Sequence, residues 1–335
     1  MRRNISRQIT GVLGLGALLT LSACQDTGAP FGGPADVEQA GPSAAGPSLA
    51  VAGSRGQQTL AVLNRKLTAR HAKFRAAYMD YITNGKNGQI GQRIFAFDRG
   101  NKHIGVSFVP NDLRRHPGTD ITYLVDQSDA SPDGLSATQV VAAIDRAMDT
   151  WEAVRCSKLS IDKVPDTGAD PDVFDGLVGF GGVGTPFADI THAGWYPASF
   201  FDAIFGPGSS DFIIAVTIPF IFIDGNGNPT DINHDREADY AFAEIYYNDR
   251  FPWGINTPFP IDVQSVALHE SGHGLGQDHF GKKFETLANG RLHFAPRATM
   301  NASYSNDVFG DLAMQHLSGS DIGGHCSLWG SWPHR

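Results

Sequence analysis

The sequence contains His269-Glu270-Ser271-Gly272-His273-Gly274-Leu275-Gly276-Gln277-Asp278-His279, which has the pattern H-E-x-x-H-x-x-G-x-x-H. Residues four apart lie on one face of a helix, so His269 and His273 can present two imidazoles to one metal ion. Gly276 allows the backbone to leave the helix in a conformation that other residues resist. The chain can then turn and bring back His279 as a third ligand. Three neutral nitrogens leave a fourth position open, which is typical of a catalytic zinc site.

Glu270 follows the first histidine and is placed to contact a water molecule on the metal rather than to bind the metal itself. Zinc lowers the pKa of its bound water from about 15.7 to roughly 7 and polarises a carbonyl group. Glu270 would take the proton of that water as general base and deliver it to the leaving amine. The motif therefore predicts a zinc enzyme that hydrolyses peptide bonds. Its five fixed positions make it more specific than H-E-x-x-H alone.

A second signal lies about twenty residues after His279, in Ala298-Thr299-Met300-Asn301-Ala302-Ser303-Tyr304. A methionine at this distance completes the longer metzincin pattern as the Met-turn. The chain therefore resembles a metzincin zinc endopeptidase, and within that clan it is most similar to the matrixins. The resemblance implies that Met300 underlies the metal site and that Tyr304 helps to form the wall of the substrate pocket. It covers roughly residues 118 to 332.

The resemblance is weaker away from the histidine motif. Residues 317–330 resemble the closing helix of matrixins, and residues 238–253 resemble the sheet-edge strand and connector that precede the zinc helix. Phe280 stands where matrixins usually have Ser, and Ala302 stands where Pro is usual. The matrixin loop that holds a structural zinc is not recognisable. The sequence therefore supports the clan more strongly than the family.

The resemblance implies an α+β fold with a twisted mixed β-sheet, two helices, a zinc cleft and a small irregular C-terminal subdomain that ends in a helix. Local patterns agree with this fold. Ser136 and Gln139 form a capping box at the start of a helix. Apolar runs predict strands at 121–125, 159–164 and 212–223. A substrate would lie extended along the edge strand and pair with it through main-chain hydrogen bonds.

Residues 1–23 are expected to be a secretory signal peptide. Three arginines precede an apolar stretch that is too short to span a bilayer. The stretch ends in Leu21-Ser22-Ala23-Cys24, which resembles a bacterial lipobox. The resemblance implies that Cys24 carries a lipid, which would anchor the protein at the bacterial cell envelope, at the outer membrane if there is one. The protein could also be released outside the cell. The alternative is an ordinary signal peptide with an incidental cysteine.

The composition fits an exported globular enzyme. The chain has 335 residues, 41% hydrophobic and 18% charged, with a net charge of −9. Loss of the signal removes three of the 26 basic residues and none of the 35 acidic ones, so the net charge becomes about −12. No basic run is present, which argues against a nucleic acid partner. We expect a monomer whose partners are a protein or peptide substrate and, through the lipid, a membrane.

Two cysteines remain if Cys24 carries lipid. In an oxidising compartment the even remainder suggests a disulfide between Cys156 and Cys326. It would connect the end of the first catalytic-domain helix with the C-terminal helix. Astacins have a comparable link between their N-terminal subdomain and their C-terminus. A loop of this length is stabilised by about 4 kcal/mol in the entropic model. The alternative is two free buried thiols.

Three segments follow the signal peptide. Residues 24–57 are rich in Gly, Pro, Ala and Ser and are expected to be a flexible tether. Residues 58–117 are expected to form a helix over 58–83 and then a hairpin of 93–97 with 103–109. This part is either a pro-segment that shields the cleft, a helix that touches anionic lipid, or a helix packed on the catalytic domain. Residues 118–335 are expected to form the metzincin-like catalytic domain.

A polar stretch before the zinc helix suggests a second metal. Asp224, Asn226, Asn228 and Asp235 imitate four ligand positions of an EF-hand loop. Pro and Asp replace the Gly and Glu of that motif, so the two interpretations are calcium binding and an ordinary polar turn. Further upstream, His192 and Trp195 are expected to lie in a polar loop.

Two other functions compete with the endopeptidase. One is a lipid-anchored protein that keeps the fold in order to bind a peptide or a surface partner. The intact Glu270 argues against it, because a binding protein needs no general base. The other is a zinc amidase that acts on cell-wall peptide.

Overall fold

The computed structural model describes residues 49–97, 100, 102–129, 131–257, 260–288, 292–304 and 312–334. The predicted signal peptide, the lipid attachment site Cys24 and most of the predicted tether lie outside the described residues. Within the described ranges, no helix combines the length and the apolar character needed to cross a bilayer.

The described residues form six α-helices, α1 (Leu49–Ala69), α2 (Ala137–Glu152), α3 (Phe174–Val178), α4 (Ala198–Phe205), α5 (Val263–Gly274) and α6 (Gly319–Trp329). The strands before α2 are β1 (Phe74–Ala76), β2 (Tyr78–Thr83), β3 (Gln92–Phe95), β4 (Val106–Ser107) and β5 (Ile121–Val125). Those between α2 and α5 are β6 (Ile161–Lys163), β7 (Ile190–Tyr196), β8 (Ile213–Phe222), β9 (Ala238–Asn248), β10 (Trp253–Gly254) and β11 (Ile261–Asp262). After α5 come β12 (Lys282–Glu285) and β13 (Leu292–Ala295).

The main sheet has the strand order β3-β2-β8-β9-β7-β5-β6. β6, β5, β7 and β9 run parallel, whereas β8 is antiparallel to β9, β2 to β8 and β3 to β2. β1 also pairs with β8, and β4 pairs with β9. This mixed sheet agrees with the predicted α+β class. The predicted helices were one in the N-terminal segment, two above the cleft and one at the C-terminus, and the short helices α3 and α4 were not predicted.

Apolar residues cover both faces of this sheet, because successive side chains of a strand point to opposite sides. Along β9, Ala243, Ile245 and Tyr247 pack in the same core as α2 and α5. Phe242 and Tyr246 pack instead in a second core with α1 and α4. The strands are therefore buried on both sides, which explains their nearly continuous apolar sequences.

The helix α2 begins as predicted. The side chain of Ser136 accepts a hydrogen bond from the backbone N–H of Gln139, and the reciprocal bond of the capping box is also present. At the other end of the helix, the indole N–H of Trp151 donates to the carbonyl oxygen of Leu268 across 2.8 Å. This bond joins α2 to the helix that carries the histidine motif.

The segment before α2 differs from the sequence prediction. α1 starts at Leu49, inside the predicted tether, and ends at Ala69 instead of continuing to residue 83. β2 follows, and all six of its residues are buried. An apolar strand buried on both faces has no alternating pattern, so its residues could be read as part of an amphipathic helix. The predicted hairpin is also wrong, because β3 pairs with β2 and β4 pairs with β9.

Two predictions about the centre of the sheet are wrong. Residues 238–242 begin β9, which lies between β8 and β7 and is not an edge strand. His192 and Trp195 lie in β7 rather than in a polar loop, with exposed fractions of 0% and 4%. Nδ1 of His192 is 2.8 Å from the hydroxyl of Tyr247, and burial lowers the pKa of His192 to about 3.

Cys156 and Cys326 form the predicted disulfide, with 5.7 Å between their Cα atoms. Cys156 follows α2 and Cys326 lies in α6, and the two are separated by 170 positions of sequence. The bond therefore ties the C-terminal helix to the part of the core built around α2.

Candidate metal centre

The helix α5 is held at both ends by features of its own sequence. The carboxylate of Asp262 accepts hydrogen bonds from the backbone N–H and the hydroxyl of Ser265, at 2.9 and 2.8 Å. This is an N-cap, which satisfies the free N–H groups of the first turn. The helix ends at Gly274, and Gly276 has a φ of +88°, a left-handed conformation that suits glycine. The turn brings His279 back toward the helix, as the sequence predicts.

The three histidines of the motif converge on one point. Nε2 of His273 is 3.1 Å from Nε2 of His269 and 3.2 Å from Nε2 of His279. Zinc–nitrogen distances of about 2.0–2.1 Å in a tetrahedral site would separate two ligand atoms by about 3.3 Å. The spacing of the nitrogens therefore fits a zinc ion, and these side chains are one of the groups in the described residues that could hold a metal.

The protonation states of the three imidazole rings also suit metal binding. Nδ1 of His269 donates to the carbonyl oxygen of Thr299 across 2.7 Å, and Nδ1 of His273 donates to that of Gln277 across 2.8 Å. In a neutral ring these bonds leave Nε2 unprotonated and able to act as a ligand. Burial lowers the pKa of His269 to about 4 and lowers the pKa values of the other two rings well below their usual value. All three are therefore neutral at pH 7.

The segment around Met300 supports the helix from one side, as the sequence predicts. Met300 packs so closely against Gly272 that a Cβ atom added there would lie 2.4 Å from the methionine sulfur. The carboxylate of Asp321 in α6 accepts hydrogen bonds from the backbone N–H groups of Thr299 and Met300, at 2.9 and 3.0 Å. Asp321 thereby fixes the carbonyl group that orients His269.

Glu270 lies beside the histidines with no exposed surface. Its Oε2 accepts a hydrogen bond from the hydroxyl of Thr217 in β8 at 2.5 Å, whereas Oε1 has no partner within the described part of the chain. Burial raises the pKa of Glu270 well above its ordinary value, and the bond from Thr217 partly opposes this. The side chain therefore has one oxygen held in place and the other available to a reacting group.

An ion pair that the sequence did not predict lies on the other side of His273. Asp80 in β2 has no exposed surface and binds the guanidinium of Arg93 in β3, with a shortest distance of 2.6 Å. Oδ2 of Asp80 is 3.2 Å from Nδ1 of His273, and Arg93 donates to the carbonyl oxygen of Gln277 across 2.9 Å. The pair thus stabilises both the ring of His273 and the turn that leads to His279.

β2 borders the metal centre as well as supporting it. Asp80 is paired in register with Thr217, so β2 lies beside the part of β8 that contacts Glu270. The carbonyl oxygen of Thr83 at the end of β2 accepts a hydrogen bond from the backbone N–H of Tyr304 at 2.7 Å. β2 therefore lies between β8 and the segment after Met300. Glu270, His269 and His273 all have exposed fractions of 0%, whereas His279 is partly exposed.

The residues predicted to form the substrate pocket and the calcium site make polar contacts within the protein. Tyr304 is 6% exposed, and its hydroxyl accepts a hydrogen bond from the backbone N–H of Asp262 across 3.1 Å. Asp224 accepts hydrogen bonds from the backbone N–H groups of Asn226 and Asn228 at 2.8 and 2.9 Å. This is the bonding of a polar turn between β8 and β9. Asp235 accepts a hydrogen bond from the hydroxyl of Ser107 at 2.7 Å.

Three of the supporting residues differ in how well the sequence marks them. Asp321 belongs to a capping box with Ser318, a local pattern that can be recognised in sequence. Asp80 and Thr217 lie inside apolar strands and carry no local signal. They become part of the site because β2 and β8 pair beside α5.

No protein-family model and no curated protein matches this chain.

Proposed function

We propose that this chain is a zinc-dependent endopeptidase of the metzincin type. The observation that carries the proposal is the convergence of three neutral Nε2 atoms, 3.1 and 3.2 Å apart, beside a buried carboxylate. A closed structural site would use four protein ligands, whereas this one offers three. The placement of Met300 against α5 is a second, independent support for the resemblance.

His269, His273 and His279 would hold the zinc ion. Zinc, when bound, supplies a Lewis acid that polarises a peptide carbonyl and makes a water molecule acidic. Glu270 would take the proton of the attacking water on Oε1, which has no hydrogen-bond partner among the described residues, and pass it to the leaving amine. Thr217 keeps the carboxylate in one orientation during both transfers.

The complete burial of Glu270 next to the β2–β8 pair supports the inference that substrate reaches this carboxyl group only when β2 moves. An extended peptide could pair with β8 only where β2 now does. This supports the pro-segment interpretation for the strands rather than for α1, and the described arrangement would then be a latent form. The lipid on Cys24 would keep either form at the cell envelope.

The peptide-binding protein is the second candidate, and one observation favours it. The complete burial of Glu270 and His273 needs no explanation in a protein that does not turn over a substrate. In that case zinc would only stabilise the fold. The cell-wall amidase differs from the endopeptidase in its substrate and not in the residues that hold zinc and move the proton.

The test uses the full mature chain, first as purified and then after limited proteolysis between α1 and α2. Zinc per chain and cleavage of a quenched peptide library and of cell-wall peptide are measured for the wild type and for Glu270→Gln. The proposal expects one zinc in both proteins and cleavage of the peptide library in the wild type alone. One zinc with no cleavage before or after proteolysis would favour the binding protein. Absence of zinc would refute the endopeptidase and leave the binding protein ahead.

A further inference from the structure

A group of four aspartates lies away from the metal centre, beyond the end of β5. Asp126 and Asp129 follow that strand, and Asp170 and Asp172 lie in the loop before α3. One carboxylate oxygen from each of the four lies within 4.8 Å of the others. These residues come from two segments that are more than forty positions apart in sequence, so the fold brings them together.

Three of the four carboxylates have a buried oxygen without a hydrogen-bond partner among the described residues. These atoms are Oδ2 of Asp126, Oδ1 of Asp170 and Oδ1 of Asp172. Asp172 has an exposed fraction of 0% and Asp126 one of 5%. An unpaired polar atom in the interior is unfavourable, and a charged one is more so. The unsatisfied oxygens therefore indicate that something besides the described protein atoms binds them.

The other oxygens of these carboxylates are held by the protein. Oδ1 of Asp126 accepts from the hydroxyl of Ser128 at 2.6 Å, and Oδ2 of Asp170 accepts from the N–H of Gly182 at 2.7 Å. Such bonds leave one oxygen of each carboxylate free while fixing its orientation. They are the supporting contacts that a preformed metal site requires.

The hydrogen-bond donors near these aspartates are too few to satisfy all the carboxylate oxygens. The hydroxyl of Tyr196 lies 2.5 Å from Asp129, 2.9 Å from Asp175 and 3.3 Å from Asp172, but it has one proton to donate. Among the described residues, no Lys, Arg or His forms an ion pair with Asp126, Asp129, Asp170 or Asp172. The negative charges at this place are not neutralised by a basic side chain.

Burial and mutual repulsion act on these groups together. Burial, and then the charges of Glu244 and Asp175, raise the pKa of Asp172 well above its ordinary value. Burial also raises the pKa of Asp129 to about 6, with a further contribution from Asp170. A bound cation would remove this unfavourable interaction and allow all the carboxylates to ionise.

We propose that Asp126, Asp129, Asp170 and Asp172 bind one calcium ion. Calcium takes six to eight oxygen ligands and accepts the irregular geometry of carboxylates from separate loops. Zinc prefers nitrogen and sulfur donors, and magnesium demands a strict octahedron and keeps several waters. The ion would tie the loop before α3 to the end of β5. This site differs from the polar turn at Asp224.

The experiment measures calcium binding to the full mature chain after treatment with a calcium-selective chelator. Calorimetry gives affinity and stoichiometry, and terbium luminescence reports on the site because Tyr196, a sensitiser, contacts Asp129. The wild type is expected to bind one calcium here, at least tenfold more tightly than magnesium. Asp126→Asn and Asp172→Asn are each expected to weaken this binding tenfold or more. The control Asp133→Asn changes an exposed residue of the same region and should bind as the wild type does.

A thermal unfolding measurement separates a metal ligand from a residue that is needed only for folding. In chelator, Asp172→Asn should melt at the same temperature as the wild type or higher, because one unneutralised charge is gone. In the presence of calcium its melting temperature should be lower than that of the wild type, because the bound ion stabilises the variant less. His269→Ala should bind calcium normally, which distinguishes this site from the zinc centre. The proposal is overturned if the wild type binds no calcium, or if Asp172→Asn and Asp126→Asn bind it unchanged.

Discussion

The hydroxyl of Thr217 in β8 donates a hydrogen bond to Oε2 of Glu270 in α5, with 2.5 Å between the two oxygens. The same hydroxyl lies 3.2 Å from the backbone carbonyl oxygen of Glu270. Strand and helix are thus connected at the residue proposed to move the proton. Glu270 has no exposed surface, so water cannot replace this donor in the described arrangement.

The first prediction concerns this contact. Thr217→Val keeps the shape of the side chain and removes the donor, so the Glu270 carboxylate loses its orientation. We expect kcat for peptide cleavage to fall about tenfold or more, and the unfolding free energy to fall by about 1–3 kcal/mol. Zinc content should not change. Thr217→Ser retains the hydroxyl and serves as the control, and equal kcat values for the two variants would contradict the assigned role.

The second prediction concerns Asp321, which acts on the metal through another residue. Asp321→Asn replaces one acceptor oxygen with an NH2 group facing the backbone N–H groups of Thr299 and Met300. The carbonyl group of Thr299 would shift, and His269 would lose its orientation. We expect zinc affinity to fall about 10–100-fold, measured by competition with a chromogenic chelator. Asp162→Asn, an exposed change on β6, should leave the affinity unaltered.

The third prediction concerns the contact between α5 and the segment beneath it. A Cβ atom at position 272 would lie 2.4 Å from the sulfur of Met300 and 3.0 Å from a ring carbon of Trp151. Gly272→Ala should therefore destabilise the protein by about 1–3 kcal/mol in denaturant unfolding. A Cβ atom at Gly323 in α6 would have no atom of the described residues within 4 Å, so Gly323→Ala should stabilise the protein by up to about 1 kcal/mol. Equal effects at the two positions would mean that the close packing is absent.

The fourth prediction concerns the disulfide. Reduction of Cys156–Cys326 opens a loop that spans 170 positions of sequence. The unfolded chain gains conformational freedom, so we expect the unfolding free energy to fall by about 2–5 kcal/mol. Urea titrations with and without dithiothreitol measure this difference. The double variant Cys156→Ser, Cys326→Ser should show the reduced stability under both conditions, and a further loss on adding dithiothreitol would point to another cause.

The fifth prediction concerns pH and His325 in α6. Both ring nitrogens of His325 are buried without a partner among the described residues, and burial lowers its pKa to about 4. The unfolded chain then binds the proton more tightly than the folded one, so stability falls as the pH drops below about 6.5. Between pH 7.5 and pH 5 this residue should account for about 2 kcal/mol of lost unfolding free energy. His325→Phe should lose correspondingly less over the same range, and an identical loss would exclude the assignment.

Short-range patterns predicted much of what surrounds the metal centre. The spacing of His269 and His273, the glycine turn at Gly276 and the capping box at Ser136 each depend on a few neighbouring residues. Such signals act through backbone geometry, which is the same in any fold. They were therefore sufficient to place the ligands on α5 and to start α2 correctly.

Long-range pairing explains what the sequence did not reveal. Asp80 and His273 are almost two hundred positions apart, and their contact depends on β2 pairing with β8. β2 was predicted to be helical because burial on both faces removes the alternation that marks a strand. The acidic group around Asp172 escaped notice for a similar reason, since its members come from two loops with no shared motif.

The pairing of β2 with β8 has a consequence for self-association. β8 is ten residues long, wholly buried and almost entirely apolar, and β9 covers its other edge. If β2 were released, the N–H and C=O groups along residues 213–217 of β8, with which β2 pairs, would be open to a strand from another molecule. An apolar strand edge of this kind promotes aggregation. The strand proposed to keep substrate from Glu270 would therefore also protect the protein from aggregation, and the proposed active form would need its substrate, or another strand, to cover the same edge.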